Sequence, residues 1–382
     1  MLALILWWFF IQLMALAALP LAWRFFAALP DRGYGLAKPL GLLLTSYVFW
    51  LGASTGLLLN TVGSGVFGLL LVATFSAWLG RDGLRRDDDG RRPLLRWLTG
   101  QWRLLLVTEL LFAIALAGWG FFRAHNPDIT GTEKPMELMF LNGVLRSPRF
   151  PPLDPWLSGY AISYYYFGYL MLALLTRLSG VPAAVGFNVG VATWFALTVV
   201  AAFSVAYNLG ASLPHTPPLA EGDGKGKSGR SQRRAELGFE RNEKLGWLTG
   251  GLGVLFLAIM GNLEGLLDSL HTKGIGSQSF WDWLDVRDLA QASVTSRWVP
   301  SDFWWWFRAA RVVKDRDLLG NPVEVIDEFP QFSFVLGDMH PHVLALPFVI
   351  LAIGFALNLI LEWGIGNREW RMGNQESEVR PS

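Results

Sequence analysis

The chain has 382 residues, of which 52% are hydrophobic, and its 32 basic residues nearly balance its 31 acidic ones. So large an apolar fraction excludes an ordinary soluble globular protein. The net charge of +1 gives no reason to expect a nucleic-acid partner. The absence of cysteine excludes disulfides, thiolate metal sites and a cysteine nucleophile.

The apolar residues fall into blocks of about 20, the length that crosses a hydrocarbon core of about 30 Å. We therefore predict an all-α polytopic membrane protein with a single transmembrane domain over residues 1–364. The seven predicted spans are 2–23, 39–60, 62–80, 104–122, 183–208, 245–261 and 341–363. Between the spans, residues 211–244 are predicted to be a disordered cytoplasmic loop, and residues 365–382 form a polar tail.

The topology depends on the segment 164–178, YYYFGYLMLALLTRL. Its apolar run is about 15 residues, which is short for a span and typical of a re-entrant or interfacial helix. If this segment does not cross, more of the basic residues lie on the cytoplasmic side, as the positive-inside rule prefers. The two large loops, 123–182 and 262–340, then share the outer face of the membrane. If the segment does cross, the topology changes.

The first large loop contains DITGTEKPMELMFLNGVLRSPRFPPLDPWLSGYAISYYYFGY, residues 128–169. Glu133 and Asp128 follow the outer end of the fourth predicted span. A carboxylate at a membrane surface can deprotonate an acceptor hydroxyl while the adjacent hydrocarbon holds a lipid-anchored substrate. Both are therefore candidate catalytic residues. The alternative is that they only cap turns, because NPDITGTE is rich in turn-forming residues.

A proline-rich turn in the same loop holds Arg146 and Arg149 close to Asp154. Arginines fixed at a membrane surface can form paired hydrogen bonds to a phosphate or pyrophosphate. They can equally contact lipid headgroups without specificity. We take all three residues as candidate substrate-binding groups.

Tyr164, Tyr165 and Tyr166 stand in a row before Gly168. On a helix, successive residues are 100° apart, so three tyrosines in a row cannot all face one way. Such a run is either an interfacial anchor or an aromatic platform for a sugar ring, with hydroxyls as hydrogen-bonding groups.

The second large loop begins with Glu264 at the end of a span, a candidate substrate-binding residue, and closes with GDMHPH, residues 337–342. Pro341 suits the first position of a helix, with His340 in the cap region. The helix amino terminus would favour a phosphate there, bound with His340 and His342. A divalent metal held by Asp338 and histidine and a purely structural cap are the alternatives.

Few strongly polar residues lie inside the predicted spans; among them are Gln12, Glu109, Asn188 and Asn358. A transporter normally lines a path through the membrane with polar groups and broken helices. The pattern therefore argues against a pump or channel.

Three stretches closely resemble the YYY membrane proteins of archaea and some bacteria, a family of very hydrophobic proteins named for a YYYxG motif. They are residues 133–169, GNLEG with FWDW, and EFPQFSFVLGDMHPHVLALPF; the motif itself is Tyr164 to Gly168. Members of this family are generally longer, so the resemblance implies that this chain is an N-terminal portion, with a C-terminal half that is either missing or encoded separately.

The same region is more distantly similar to the GT-C membrane glycosyltransferases, which use polyprenyl-phosphate sugars. Glu133 occupies the position of the catalytic acidic motif, MELMFLNGVL that of a small helix, FPPLDP that of the turn and YYYFGY that of the aromatic segment. GT-C enzymes usually have aspartate at the acidic position, and their acidic loop follows the first span. The resemblance implies a GT-C-like transmembrane helix bundle.

The leading hypothesis is therefore a multi-pass cell-membrane glycosyltransferase that takes a polyprenyl-phosphate sugar donor at the outer face. A glycan or protein would be the acceptor, membrane lipid would surround the site, and a divalent metal is a candidate cofactor. The alternative is a non-enzymatic scaffold or transporter component that binds lipid or glycan.

Overall fold

The computed structural model describes the backbone of residues 1–213, 242–302 and 305–378, and the side chains of these residues as far as residue 364. Most of the predicted disordered loop, residues 214–241, lies outside this part of the chain. The helices and strands are α1 Leu2–Phe25, α2 Ala37–Ser54, α3 Val62–Leu79, α4 Arg81–Leu84, α5 Pro93–Gly100, α6 Trp102–His125, α7 Lys134–Arg146, α8 Tyr166–Ser179, α9 Ala183–Ser212, α10 Glu243–Val254 with a π-helical continuation Leu255–Met260, α11 Glu264–Lys273, α12 Gln278–Leu284, a 3-10 helix Trp305–Ala310, β1 Lys314–Arg316, β2 Pro322–Glu324, α13 Pro330–Leu336 and α14 Pro341–Glu378.

The predicted class, an all-α polytopic membrane protein, is confirmed. Six of the described helices are long and apolar enough to cross a membrane. They are Leu2–Phe25, Val62–Leu79, Trp102–His125, Ala183–Ser212, Glu243–Met260 and Pro341–Gly364. Each coincides with a predicted span. The remaining predicted span, 39–60, corresponds to α2, which is helical but less apolar because it includes Lys38, Thr45 and Ser46.

Helix α2 is antiparallel to α1, as the path of the chain shows. At one end of the pair α1 and α3, the Leu21 amide donates to the Ser76 hydroxyl at 3.0 Å, and Arg24 pairs with Asp82 at 2.8 Å. Both contacts join the carboxyl-terminal ends of the two helices, so α1 and α3 are parallel. The chain between them must return over their length, and α2 makes that return.

The described residues group into two compact units. Unit 1 comprises Met1–Val254 and Asp338–Ser382, and unit 2 comprises Leu255–Gly337. The single transmembrane domain over residues 1–364 stays a prediction, because compactness does not tell which residues cross a bilayer.

Helix α9 is the central helix of unit 1. In its most apolar stretch 89% of the residues are buried, against 28% in α6 and 17% in the span Glu243–Met260. Small residues bring α10 close to it, since a Cβ added at Gly250 would lie 2.7 Å from the Phe203 ring and one at Gly246 would lie 2.9 Å from Ala211. This is the G-x-x-x-G mode of packing found between membrane helices.

Helix α8 has 14 residues, a length of about 21 Å. That is shorter than the hydrocarbon core of about 30 Å, as the sequence predicted for residues 164–178. The helix begins at Tyr166, so Tyr164 and Tyr165 precede it and do not follow helical spacing. The external position of the loops on either side stays a prediction.

Unit 2 consists of short elements, and its two strands pair antiparallel with Asp315 opposite Val323. One of its apolar clusters is formed by Trp281, Val286 and Leu289. Another joins Ala310 of the 3-10 helix to Phe332 of α13.

Candidate functional site

The first part of the candidate site is the amino-terminal turn of α7. The turn-rich segment before it ends at Glu133, which occupies the N-cap position, and Pro135 lies in the first turn, where its missing N–H leaves no hydrogen bond unmade. Glu133 and Glu137 are four residues apart and therefore lie on the same side of the helix. The buried side of α7 contains Glu137 together with Phe140 and Leu141.

The second part is the segment Asp338–His342, which leads into the last helix of unit 1. Pro341 is the first residue of α14, as the sequence predicted, and His340 directly precedes it. The rings of His340 and His342 stack with their centroids 5.5 Å apart. The amino terminus of a long membrane helix is thus placed beside two imidazoles.

These two segments, about 200 residues apart in the chain, meet inside unit 1. The Nε2 atom of His340 lies 2.6 Å from a carboxylate oxygen of Glu133. The backbone N–H of Met339 donates to Glu137 at 2.7 Å, and the hydroxyl of Thr132 donates to Asp338 at 2.6 Å. Three hydrogen-bonding contacts therefore hold the GDMHPH segment against the start of α7.

The two glutamates have opposite environments. The side chain of Glu133 is 52% exposed, whereas Glu137 is fully buried. Burial raises the pKa of Glu137 to about 8, because a carboxylate loses its hydration there. Its second oxygen lies 3.8 Å from Nδ1 of His340, and neither atom has a hydrogen-bond partner within the described part of the chain. The imidazole thus has an exposed carboxylate on one side and a buried carboxyl on the other.

The three tyrosines of the motif make three different sets of contacts. Tyr164 stacks on Phe140 of α7 with centroids 5.1 Å apart. Tyr166 accepts a hydrogen bond from the indole of Trp50 at 2.8 Å. Tyr165 is 74% exposed. All three nevertheless line one groove. The expectation that they face different ways assumed helical spacing, which Tyr164 and Tyr165 do not have because the helix begins at Tyr166.

A mostly apolar groove of about 840 Å³ lies beside the cluster. One wall is the tyrosine motif with Gly168, and a second is the beginning of α14 with His342, Leu344 and Phe348. Residues Leu43, Tyr47 and Trp50 of α2 also line it. Its polar groups are the His342 ring and the tyrosine hydroxyls. The groove therefore suits a ligand with a long apolar body and a polar end.

Asp128, the second predicted catalytic residue, acts as a turn cap. Its carboxylate accepts hydrogen bonds from the backbone N–H of Thr130 at 3.2 Å and from the Thr130 hydroxyl at 2.9 Å. The hydrogen bonds from Thr130 lower the pKa of Asp128. This geometry is the one that the turn-capping alternative predicts, and a catalytic role for Asp128 stays a prediction. Asp338, the predicted metal ligand, is 2% exposed and bonded to Thr132, so its role toward a metal stays a prediction.

The predicted phosphate-binding arginines lie elsewhere. Arg146 is the last residue of α7, about 20 Å along the helix from Glu133. Arg149 is exposed in the loop that follows. Asp154 accepts the backbone N–H groups of Trp156 and Leu157 at 2.7 and 3.0 Å and so shapes the turn. The structure does not bring these three residues to the cluster, and their binding of substrate stays a prediction.

Glu264 belongs to unit 2 and is described within it. It is 1% exposed and borders a cavity of about 480 Å³ lined by Trp305, Phe329 and Phe332, among others. Burial and the nearby Asp268 carboxylate raise the pKa of Glu264. Asp268 forms an ion pair with Arg308 at 2.8 Å. Substrate binding by Glu264 stays a prediction.

Sequence reasoning missed two residues, Glu137 and Arg123. The spacing of Glu133 and Glu137, four residues apart at a helix start, was a signal for a pair of carboxylates on one face. Arg123 ends a membrane helix, where arginine usually reaches out to water; here it is 1% exposed. Only the packing reveals that both are buried.

The geometry can be compared with known proteins. No curated protein and no solved structure matches the chain. A match does extend over residues 44–373 to the family described as uncharacterized membrane protein, DUF2298. This range contains the tyrosine motif, both glutamates and the GDMHPH segment, and it agrees with the predicted resemblance to YYY membrane proteins. The chain is a membrane protein and belongs to the DUF2298 family.

Proposed function

We propose that this protein is a membrane glycosyltransferase that uses a polyprenyl-phosphate-linked sugar at the outer face of the cell membrane. The observation that carries the proposal is the contact of Glu133 with His340 at 2.6 Å. A half-exposed carboxylate and an imidazole meet beside an apolar groove. Catalytic base and lipid site would then adjoin, as a lipid-linked donor requires.

In the proposed reaction, Glu133 removes the proton from an acceptor hydroxyl, in either a glycan or a protein. The acceptor oxygen attacks the anomeric carbon of the sugar. The bond from that carbon to the phosphate oxygen breaks, and polyprenyl phosphate leaves with the electron pair. Because phosphate is a stable anion, one general base is sufficient.

His340 would hold Glu133 in position and take up the proton after transfer. An imidazole is suited to this because its ordinary pKa is close to neutrality. Glu137 would hold the backbone before His340 through the N–H of Met339. Positioning of this kind is a large part of catalytic power, since small displacements of reacting groups slow a reaction strongly.

The groove would hold the first isoprene units of the donor. Its mostly apolar walls match an isoprenoid chain, and burial of apolar area contributes about 25 cal/mol per Å². The phosphate would lie near His342 and the amino terminus of α14, where the helix dipole favours an anion.

The test is incorporation of labelled sugar from polyprenyl-phosphate donors into acceptor by membranes that contain the full chain. We expect Glu133→Gln and His340→Ala to reduce incorporation on the order of 100- to 10,000-fold. The matched controls are Glu243→Gln and His125→Ala, which change exposed residues outside the cluster and should leave incorporation unchanged. An arm with EDTA and readdition of Mn²⁺ or Mg²⁺ tests whether a divalent metal assists.

Equal incorporation by wild type and both cluster variants would overturn the assigned roles. Binding of polyprenyl phosphate without any transfer would favour the alternative, a lipid- or glycan-binding scaffold or transporter component.

A further inference from the structure

Arg123 has an incomplete set of hydrogen bonds although it is 1% exposed. Its Nε and Nη2 atoms donate to the side-chain oxygen of Asn188 at 3.1 and 2.6 Å. Its Nη1 atom is buried and has no hydrogen-bond partner in the described residues. A buried charged donor without a partner is unfavourable by about 1–3 kcal/mol or more. A site of this kind suits an acceptor supplied by a ligand.

Asn188 holds the guanidinium in a fixed orientation. Its amide nitrogen donates to the backbone oxygens of Pro127 and Ala184, both at 3.1 Å. The oxygen of the same amide accepts both bonds from Arg123. Helix α6, helix α9 and the start of the first loop are therefore tied together around Arg123.

A cavity of about 380 Å³ adjoins this arginine. Its lining includes Arg123, Asn188, Leu4, Ile129, Ala184 and Val185. Ala184 and Val185 lie in the first turn of α9, a helix of 30 residues without a side-chain cap. The first N–H groups of a helix have no partner within it, and they give that end a partial positive charge. The Arg123 side chain and a helix amino terminus thus border the same cavity.

Asp128 and Asp338 act electrostatically on Arg123, but no side chain in the described residues accepts a hydrogen bond from its Nη1 atom. The remaining cavity wall is apolar, formed by side chains of α1 and α9. This combination matches a group that carries an anion on one side and hydrocarbon on the other.

We infer that Arg123 and the first turn of α9 bind the phosphate group of an anionic membrane lipid, with the lipid chains against the apolar wall. The site does not depend on glycosyl transfer, because its residues are separate from the Glu133–His340 pair and from the groove. A lipid held here would stabilise the junction of α6 and α9 beside the first loop.

The test uses the full chain purified in detergent and measures bound lipid by native mass spectrometry, with the unfolding temperature as a second readout. The probes are phosphatidic acid, phosphatidylglycerol, phosphatidylcholine and inorganic phosphate. We expect wild type to bind one anionic lipid in preference to phosphatidylcholine. Arg123→Gln should weaken that binding at least tenfold, as the loss of a charged hydrogen bond implies. Arg103→Gln, an exposed arginine at the other end of α6, is the matched control and should bind as wild type does.

A second pair of variants guards against misfolding of Arg123→Gln. Ala184→Glu places a negative charge in the first turn of α9, where it stabilises the helix but repels a phosphate. It should weaken anionic lipid binding, whereas Ala184→Gln, which has the same size without the charge, should bind like wild type. Equal lipid binding by Ala184→Glu and Ala184→Gln would overturn the inference. If inorganic phosphate raised the unfolding temperature as much as the lipids do, the lipid assignment would be wrong.

Discussion

Unit 1 contains two largely buried polar regions, which differ in how completely their groups are hydrogen-bonded. The distance between them along α6, from Glu109 to Arg123, is about 21 Å. In the Glu109 region, Lys38, Tyr34 and Gln12 all donate to the Glu109 carboxylate, at 2.5, 2.8 and 2.5 Å. None of the polar atoms in these four side chains is a buried atom without a partner.

In the Glu133 region, by contrast, Glu137, His340 and Arg123 each have a buried atom without a partner among the described residues. A buried polar set whose bonds are complete stabilises one packing arrangement. A buried polar set in which some hydrogen bonds are not made is less stable than a fully bonded one. Such incomplete bonding is common at functional sites. We therefore expect the Glu109 region to stabilise the fold, and we keep the proposed sugar transfer for Glu133 and His340 and the proposed lipid binding for Arg123. Four stability measurements test this difference between the two regions.

The largest loss of stability is expected from Lys38→Met. The substitution leaves the Glu109 carboxylate without its cation; Lys38 is 2% exposed and Glu109 is 31% exposed. Breaking a fully buried pair reduces the free energy of unfolding by about 3–5 kcal/mol, which is the upper bound expected for this partly buried one. Denaturant unfolding in detergent measures the loss. The double variant Lys38→Met with Glu109→Gln removes both charges and should recover most of the stability. If the double variant were no more stable than the single one, the ion pair would not be the cause.

Glu137→Gln should alter the pH dependence of stability. The pKa of Glu137 is raised from its ordinary value of 4.5 to about 8. Between these values the folded protein retains a proton that the unfolded chain has lost, so stability falls as the pH rises from about 4.5 to about 8 and levels off above that. Glutamine has no such proton. The variant should therefore gain about 4 kcal/mol relative to wild type between pH 5 and pH 8.5.

The measurement is the free energy of unfolding of both proteins at four pH values across this window. Glu243→Gln, at an exposed position, is the control and should follow the wild-type curve. Parallel curves for wild type and Glu137→Gln would mean that Glu137 is ionised in the folded protein.

Trp50→Phe should have a smaller effect, because it removes a single neutral hydrogen bond from the indole to Tyr166. Such a bond contributes about 1 kcal/mol. A double-mutant cycle with Tyr166→Phe isolates the pair, and we expect a coupling energy of about 0.5–1.5 kcal/mol. A coupling energy near zero would show that the tyrosine motif is held by packing alone.

Glu133→Gln should have the smallest effect on stability, about 0.5 kcal/mol or less, because the side chain is half exposed and exposed ion pairs contribute little. The same substitution is expected to abolish most sugar transfer. A loss of stability as large as that of Lys38→Met would contradict the comparison, since it would make Glu133 a structural residue.

Much of this fold is predictable from apolar blocks alone. The six described helices that are long and apolar enough to cross a membrane follow the sequence because each requires only a run of apolar residues of sufficient length. The short length of α8 and the start of α14 at Pro341 are local properties as well. Helix α2 is different: it is less apolar, and its return between α1 and α3 becomes evident only from contacts such as Leu21 with Ser76.

The candidate site is predictable in outline but not in detail. If residues 164–178 do not cross the membrane, the sequence predicts that Glu133 and His340 share one face of it, and the structure brings the two side chains to 2.6 Å. That Glu137 is buried depends on the segment at Met339, about 200 residues away. The division of the second loop region into a unit of its own likewise depends on contacts between short elements, which periodicity does not reveal.

The central position of α9 has a consequence for assembly during synthesis. This helix is enclosed mainly by protein, yet its composition is as apolar as that of the lipid-exposed helix α6. It emerges from the ribosome before α10 and α14, which pack against it. Lipid tails are as apolar as the side chains of its neighbours. Helix α9 is therefore stable in the bilayer before α10 and α14 have been inserted. A polar central helix would expose its polar groups to lipid during this interval, at a cost in free energy. The apolar α9 does not have this cost.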